Sequence, residues 1–399
     1  MSHRGSTWTA IIFLFALTLA SGYMLLLAYL GKSSFWDAAR QLRPSISSFT
    51  AFVSQSEAAL NEDLDKKHLF IQLYGGVQRL SGRRVIEDEA LSAKVLKLST
   101  GALNFYYSAN DVDISPMAQL VNDFSDTLRD QGIAYLYIAA PQKIQAGKEE
   151  ELLPPGIQEY SNRNADTFLT LLRQHGTDAY DLRPLFSSQD DYENWFFRTD
   201  HHWKPEAAFC AWQNVAQVLS ARYGIETDPQ FLQETNYQKR VYEDYFLGSQ
   251  GKRTGSLYAG VDDITEYIPT FETSFTYDSP YFSQPRTGPF NQSLLFPERV
   301  AQRDWFHTSP YTLYAGGDYG IATITNHKNL NGTKILLLRE SFSCAFTPFL
   351  ALSCSQLTTV DLRYFEGDLV NTIQEINPDL VITLYCVSSI SNGALFSFS

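Results

Sequence analysis

PMAQLVNDFSDTLRDQGIAYLYIAA, residues 116–140, carries the reading that decides the architecture. Its apolar residues recur at helical spacing from Pro116 to Gln131, and Gly132 stands where a helix C-cap belongs. Ile133–Ala140 is then a short, uninterrupted apolar run, the pattern of a strand buried on both faces of a parallel sheet. Pro141-Gln142-Lys143 punctuates its end. Working outward, the alternation repeats. Asn162–His175 reads as a helix stopped by Gly176, and Thr177–Leu182 as a strand. Pro205–Tyr223 reads as a helix with proline at a permitted N-terminal position. After a gap, Lys334–Leu338 (KILLL), Leu357–Leu362 and Leu380–Leu384 read as further buried strands. Strands alternating with helices imply a mainly parallel sheet covered on both faces, a three-layer α/β/α sandwich.

Residues from about 225 to 325 break this rhythm. They are rich in Tyr, Phe, Thr, Gly and Pro, with short alternating segments such as Thr270–Tyr277, and read as a β-rich insertion. Upstream, residues 33–110 read as a membrane-proximal region, leaving 111–399 as the α/β domain. Within that region Gly75-Gly76 and Gly82 are expected to break any long helix. Ile86-Glu87-Asp88-Glu89 is expected to be a solvated turn.

The first 32 residues carry a separate signal. Ala10–Leu30 (AIIFLFALTLASGYMLLLAYL) contains no charged residue. About 20 apolar residues at ~1.5 Å each cross a ~30 Å hydrocarbon core. A cleaved signal peptide would need an apolar run of only about 7–15 residues, and here the run continues well past Ala20-Ser21-Gly22. An uncleaved single-pass anchor with its N-terminus inside is expected, which places the remainder outside the cytoplasmic membrane.

The 399 residues exceed the roughly 250–300 at which one core stops growing, so one large α/β domain with a sizeable insertion, or two intimately packed lobes, is expected. A formal charge of −13 is a poor match to phosphate-backbone binding, so nucleic acid is excluded as a partner class. The four cysteines, Cys210, Cys344, Cys354 and Cys386, lack zinc-ligand spacing and read as small buried hydrophobes.

Two segments can do chemistry. Ser341 follows the strand Lys334–Leu338, and in such sheets ligands sit beyond the carboxyl ends of the strands. A serine on a strand-to-helix turn exposes its hydroxyl beside a helix N-terminus, whose free N–H groups suit an oxyanion; the same position also suits a plain helix N-cap. The second segment is Arg198-Thr199-Asp200-His201-His202-Trp203. Asp200 and His202 are two apart, so in an extended loop both side chains leave on one side. A carboxylate can then orient one ring nitrogen while the other faces a hydroxyl, the Asp–His half of a catalytic triad. A metal held by Asp200, His201 and His202 is the rival, but adjacent histidines usually point apart and no His-rich segment supplies a further ligand.

FFRTDHHWKPE, residues 196–206, resembles the signature of the bacterial DHHW family, which is similar to the alginate O-acetylation proteins of the AlgX/AlgJ type. Asp200, His202 and Trp203 match its Asp-x-His-Trp motif. Ser341-Phe342 matches its strand-then-Asp-Ser-Phe/Tyr element, with Glu340 standing where the family usually has Asp. Pro141-Gln142-Lys143, Pro348-Phe349-Leu350 and Val360–Phe365 also resemble family elements, so the resemblance spans roughly residues 60–395. It implies an SGNH-hydrolase-like fold with permuted motif order. It also implies Asp200, His202 and Ser341 as the triad of an enzyme that carries an acetyl group through a serine ester onto a cell-wall or secreted polysaccharide. A membrane-bound O-acyltransferase partner is implied as well, and no metal or organic cofactor. Trp203, His201, Arg198, Lys143 and Gly317 are expected to bind substrate or support the site, Trp203 by stacking on sugar rings and Gly317 through a turn beside the serine. The Ser341 amide is the first oxyanion donor to name. The same triad would serve an esterase that removes acetyl groups, and the same fold a non-catalytic polysaccharide-binding protein.

Overall fold

The computed structural model describes residues 67–398 other than 89–92, 189–190 and 330–331, together with Thr18 and Gly22. Its strands are β1 (Val85–Asp88), β2 (Ala93–Lys97), β3 (Leu103–Phe105), β4 (Ala134–Ala140), β5 (Ala179–Asp181), β6 (Tyr237–Phe246), β7 (Asp262–Pro269), β8 (Phe275–Asp278), β9 (Arg286–Gly288), β10 (Ile321–Asn326), β11 (Lys334–Arg339), β12 (Gln356–Val360) and β13 (Leu380–Cys386). The helices used below are α1 (Lys67–Leu80), α2 (Ser115–Asp130), α3 (Ser161–His175), α4 (Pro205–Tyr223), α5 (Ser249–Thr254), α6 (Ser343–Leu350) and α7 (Leu369–Ile376).

Eight strands form the central sheet in the order β5-β4-β13-β11-β12-β10-β8-β9. The first five run parallel, and the last three extend the sheet antiparallel. Side chains alternate across it, as strand geometry requires. Leu136, Ile138 and Ala140 of β4 enter a core shared with α4 and α6. Tyr135, Tyr137 and Ala139 enter a second core shared with α2, α3 and α7. Two cores, one on each face, make the three-layer α/β/α sandwich expected from the sequence.

The region 225–325 departs from the expectation. Only β6 and β7 form a separate, antiparallel two-stranded sheet. β8, β9 and β10 belong to the main sheet, because Phe275 and Tyr277 of β8 and Ala322 and Ile324 of β10 pack into its core while the intervening Thr276, Thr323 and Thr325 stay less buried. That alternation is the mark of an edge of the sheet covered on one face rather than of an insertion. Two further corrections fall upstream. α1 runs straight through Gly75-Gly76, since Gly75 serves close approach: a Cβ there would lie 1.8 Å from the Thr254 carbonyl oxygen. Val85–Asp88 is a strand of a small β1-β2-β3 sheet, not a turn. Among the described residues no helix is long and apolar enough to cross a membrane. The run 10–30 lies outside the described residues, apart from Thr18 and Gly22, which are helical.

Candidate active site

β11 ends at Arg339, and the chain turns through Glu340-Ser341-Phe342 into α6. This places Ser341, partly exposed, at the carboxyl edge of the sheet beside the helix N-terminus. Phe342 is held from two sides. Trp203 Nε1 and the Tyr311 hydroxyl both donate to its carbonyl oxygen, at 2.8 and 2.9 Å.

The Asp200–His202 segment is a closed loop rather than an extended one. Phe196 and Trp203 form an antiparallel bridge at its neck, and the Phe197 amide donates to the His202 carbonyl at 3.2 Å. At its tip Asp262 accepts from the Arg198 and Thr199 amides at 2.6 and 2.8 Å and from the Thr199 hydroxyl at 2.6 Å. The buried Lys143 ammonium donates to the carbonyl oxygens of Leu103 and Asp200, joining β3 to the loop. Burial lowers its pKa to about 8, against the opposing pull of Asp262 and Asp200.

Asp200 is 3 % exposed. Its Oδ1 accepts from His202 Nδ1 and from the His202 amide at 3.1 Å, and its Oδ2 accepts from the Ser249 amide at 2.6 Å. Burial alone would push this carboxyl up. The His202 and His201 rings and the Ser249 amide outweigh it and hold the pKa well below the usual carboxylate range. With Nδ1–H donating to Asp200, His202 Nε2 is left as acceptor, and the Ser341 hydroxyl lies 2.8 Å from it. Tyr311 stacks on the imidazole at 4.0 Å between centroids and fixes its plane. Glu340, 3 % exposed, lies on the other side of the serine, its pKa raised by burial against the influence of Arg363 and His202.

Of the residues named from sequence, Asp200, His202 and Ser341 meet in one relay. His201 does not point apart from its neighbour: its ring lies 3.8 Å from that of His202 and its Nδ1 3.6 Å from Asp200 Oδ1, because the loop bends between them. It also bonds Ser249 Oγ at 3.1 Å, and burial and the neighbouring His202 press its pKa down to about 3. Asp200, His201 and His202 thus offer three ligand atoms within 4.8 Å of one another, although the Asp200 and His202 atoms are engaged with each other.

Trp203 is fully buried, so it cannot stack on a sugar; its indole braces Phe342 instead. Arg198 contributes backbone bonds from an exposed residue, its carbonyl accepting from Leu103 at 2.7 Å. Gly317 accepts from the buried Arg339 guanidinium at 2.7 Å, and next to it Asp318 pairs with Arg339 at 2.6 Å and Arg363 at 3.2 Å. That turn therefore braces the end of β11. Gly248, whose amide donates to Thr199 Oγ1 at 2.9 Å, and Asp262 and Tyr311 have no signal beside the catalytic segments, since each reaches the site from a distant element; the Gly248-Ser249 pair before α5 is the one local signal of a turn.

Comparison with known proteins supports an SGNH-hydrolase-like α/β fold. Residues 103–251 match the family described as the SGNH hydrolase-like domain of the acetyltransferase AlgX. The alginate biosynthesis protein AlgX of Pseudomonas aeruginosa is 29 % identical over 153 residues, 37 % of this chain; the chain spans 31 % of that relative's length. Among solved structures, PatB1 of Bacillus cereus superposes with a TM-score of 0.63 at 22 % identity, covering 77 % of this chain and all of that one. A DHHW family protein from Eubacterium siraeum superposes at 0.58 and 17 % identity, covering 78 % and 96 % of the two chains.

Proposed function

We propose that this chain is a serine O-acyltransferase that moves an acetyl group through Ser341 onto hydroxyls of a cell-surface or secreted polysaccharide. The observation that carries the proposal is the unbroken relay from Asp200 through His202 to the Ser341 hydroxyl at 2.8 Å. A serine hydroxyl is a weak nucleophile until a base takes its proton, and an imidazole can take it only if its tautomer is fixed. Ser341 Oγ attacks the acetyl carbonyl carbon while its proton passes to His202 Nε2. Collapse of the tetrahedral intermediate leaves the acetyl ester on Ser341, and His202 returns the proton to the departing group. A sugar hydroxyl then attacks the ester carbonyl and gives its proton to His202. The acetylated sugar departs and Ser341 recovers its proton. Asp200 stays ionised throughout and stabilises the imidazolium.

The matched AlgX family supports an acetyl group as cargo and a polysaccharide as acceptor. The apolar run at 10–30 supports an extracytoplasmic site tethered to the membrane, and the resemblance to AlgX/AlgJ-type proteins implies a membrane-bound O-acyltransferase that supplies the acetyl group. The test is product analysis. Full-length protein is given an acetyl-labelled activated ester with a neutral oligosaccharide, and sugar-bound label is separated from free acetate. Sugar-bound label that is absent with Ser341→Ala supports the transferase. Free acetate alone, unchanged by added sugar, would make the chain an esterase. No release of label from wild type would reject acyl transfer by this site.

A further inference from the structure

β13 outruns its neighbour β11. Their last paired residues are Arg339 and Leu384, yet β13 continues to Cys386 alongside β4. The Cys386 amide therefore faces the place where β11 has already turned away. A buried backbone N–H must find an acceptor, and it finds Glu340 Oε1 at 3.1 Å. The other carboxyl oxygen, Oε2, accepts from the Phe342 amide at 3.2 Å and lies 3.2 Å from Ser341 Oγ. One side chain thus closes the open end of the ladder and reaches the serine on the turn. Engaging the Phe342 amide also withdraws that donor from any oxyanion. The Ser341 hydroxyl has a single proton and two acceptors in reach, and the shorter contact is to His202, at 2.8 Å.

We propose that Glu340 is a positioning residue for Ser341: its carboxylate, bonded to the Phe342 and Cys386 amides, ties the nucleophile turn to the end of β13 and so holds the backbone of that turn where the serine hydroxyl faces His202. This rests on the triad reading above. Glutamate suits the task because its reach spans from the Cys386 amide to the Phe342 amide; an aspartate, one methylene shorter, could serve one end at a time. A glutamine keeps the volume but carries NH2 at one end, which meets either the Cys386 amide or the Phe342 amide donor to donor.

The test compares full-length wild type, E340Q, E340D and S341A. It reads kcat and KM for an activated acetyl ester, the rate at which phenylmethylsulfonyl fluoride labels Ser341, and the melting temperature. E340Q should lower kcat about 10- to 100-fold, the range set by a hydrogen bond to a charged group. Its KM should stay within about twofold, because substrate binding is not what is lost. Labelling of Ser341 should slow in step with kcat, and E340D should fall between wild type and E340Q. Wild-type kcat and labelling in E340Q would overturn the proposal, and so would a loss that disappears once rates are expressed per folded molecule. Should E340Q fail to fold, E340D decides, and wild-type rates there would overturn it. S341A separates the two claims. An active S341A rejects the triad itself, whereas an inactive S341A beside an unaffected E340Q rejects only the role of Glu340.

Discussion

Ser341, His202, Asp200 and His201 sit within a few ångströms of one another, yet their loss should have very different consequences. Ser341→Ala should abolish turnover, by up to ~10⁶-fold on the precedent of serine hydrolases. Asp200→Asn should cost about 10⁴-fold, since nucleophile and base remain but the tautomer is lost. His201→Ala should be the mildest, because its Nδ1 bonds Ser249 and it takes no part in the relay. Initial rates on an activated acetyl ester, with His202→Ala included, check this order; a larger loss for His201→Ala than for His202→Ala would mean the base is misassigned. Lys143 gives a pH signature. Its folded pKa of about 8 lies below its ordinary 10.5, so between these values the unfolded chain binds more protons and stability should rise with pH. Activity should fall as pH rises through about 8, where the ammonium holding the Asp200 carbonyl loses its charge. Thermal melts and rates measured from pH 7 to pH 11 should therefore move in opposite directions, and parallel curves would count against this role. At this scale the sequence was legible where chemistry is local. Asp200 and His202 are two residues apart, and Ser341 follows a strand. Asp262 and Tyr311 were not legible, because nothing near Arg198 or His202 in the chain announces residues more than 60 positions away.

The catalytic loop is shaped as much by α5 as by its own residues. Gly248 precedes α5 and packs directly on Asp200: a Cβ there would lie 2.2 Å from the Asp200 Cβ and 2.6 Å from its Cα. Both are atoms with no freedom to swing aside. Gly248→Ala should therefore shift Asp200, and a displacement of about 1 Å at a catalytic group can cost ~10²-fold in rate. A rate within a few fold of wild type, in protein that melts normally, would show that the loop tolerates the move. Elements with strong internal periodicity were read nearly to the residue. α4 spans Pro205–Tyr223 as expected, and β4 and β11 differ from expectation by one residue at one end. Elements whose residues answer to distant partners were misread. Gly75 breaks no helix because what it accommodates is the Thr254 carbonyl, and Val85–Asp88 is a strand because β2 supplies its hydrogen bonds.

For the whole molecule, the alternation of buried strands with amphipathic helices predicts the layer order, while composition does not encode the long-range pairing that places β8, β9 and β10 in the main sheet. The charge-free run at 10–30 carries its own prediction. A chain lacking residues 1–32 should partition to the aqueous phase with wild-type activity, and full-length protein should fractionate with membranes; a truncated chain that still requires detergent would place that run within the fold instead of the bilayer. The proposed chemistry has an acetyl group pass through Ser341. Its most direct test is to mix full-length protein with an activated acetyl ester, quench in acid within one turnover, and map the adduct by peptide mass spectrometry. A single acetyl group on the peptide bearing Ser341, absent in Ser341→Ala and lost on adding acceptor sugar, is expected. An acetyl group found elsewhere, or turnover in Ser341→Ala with no adduct at any residue, would contradict it.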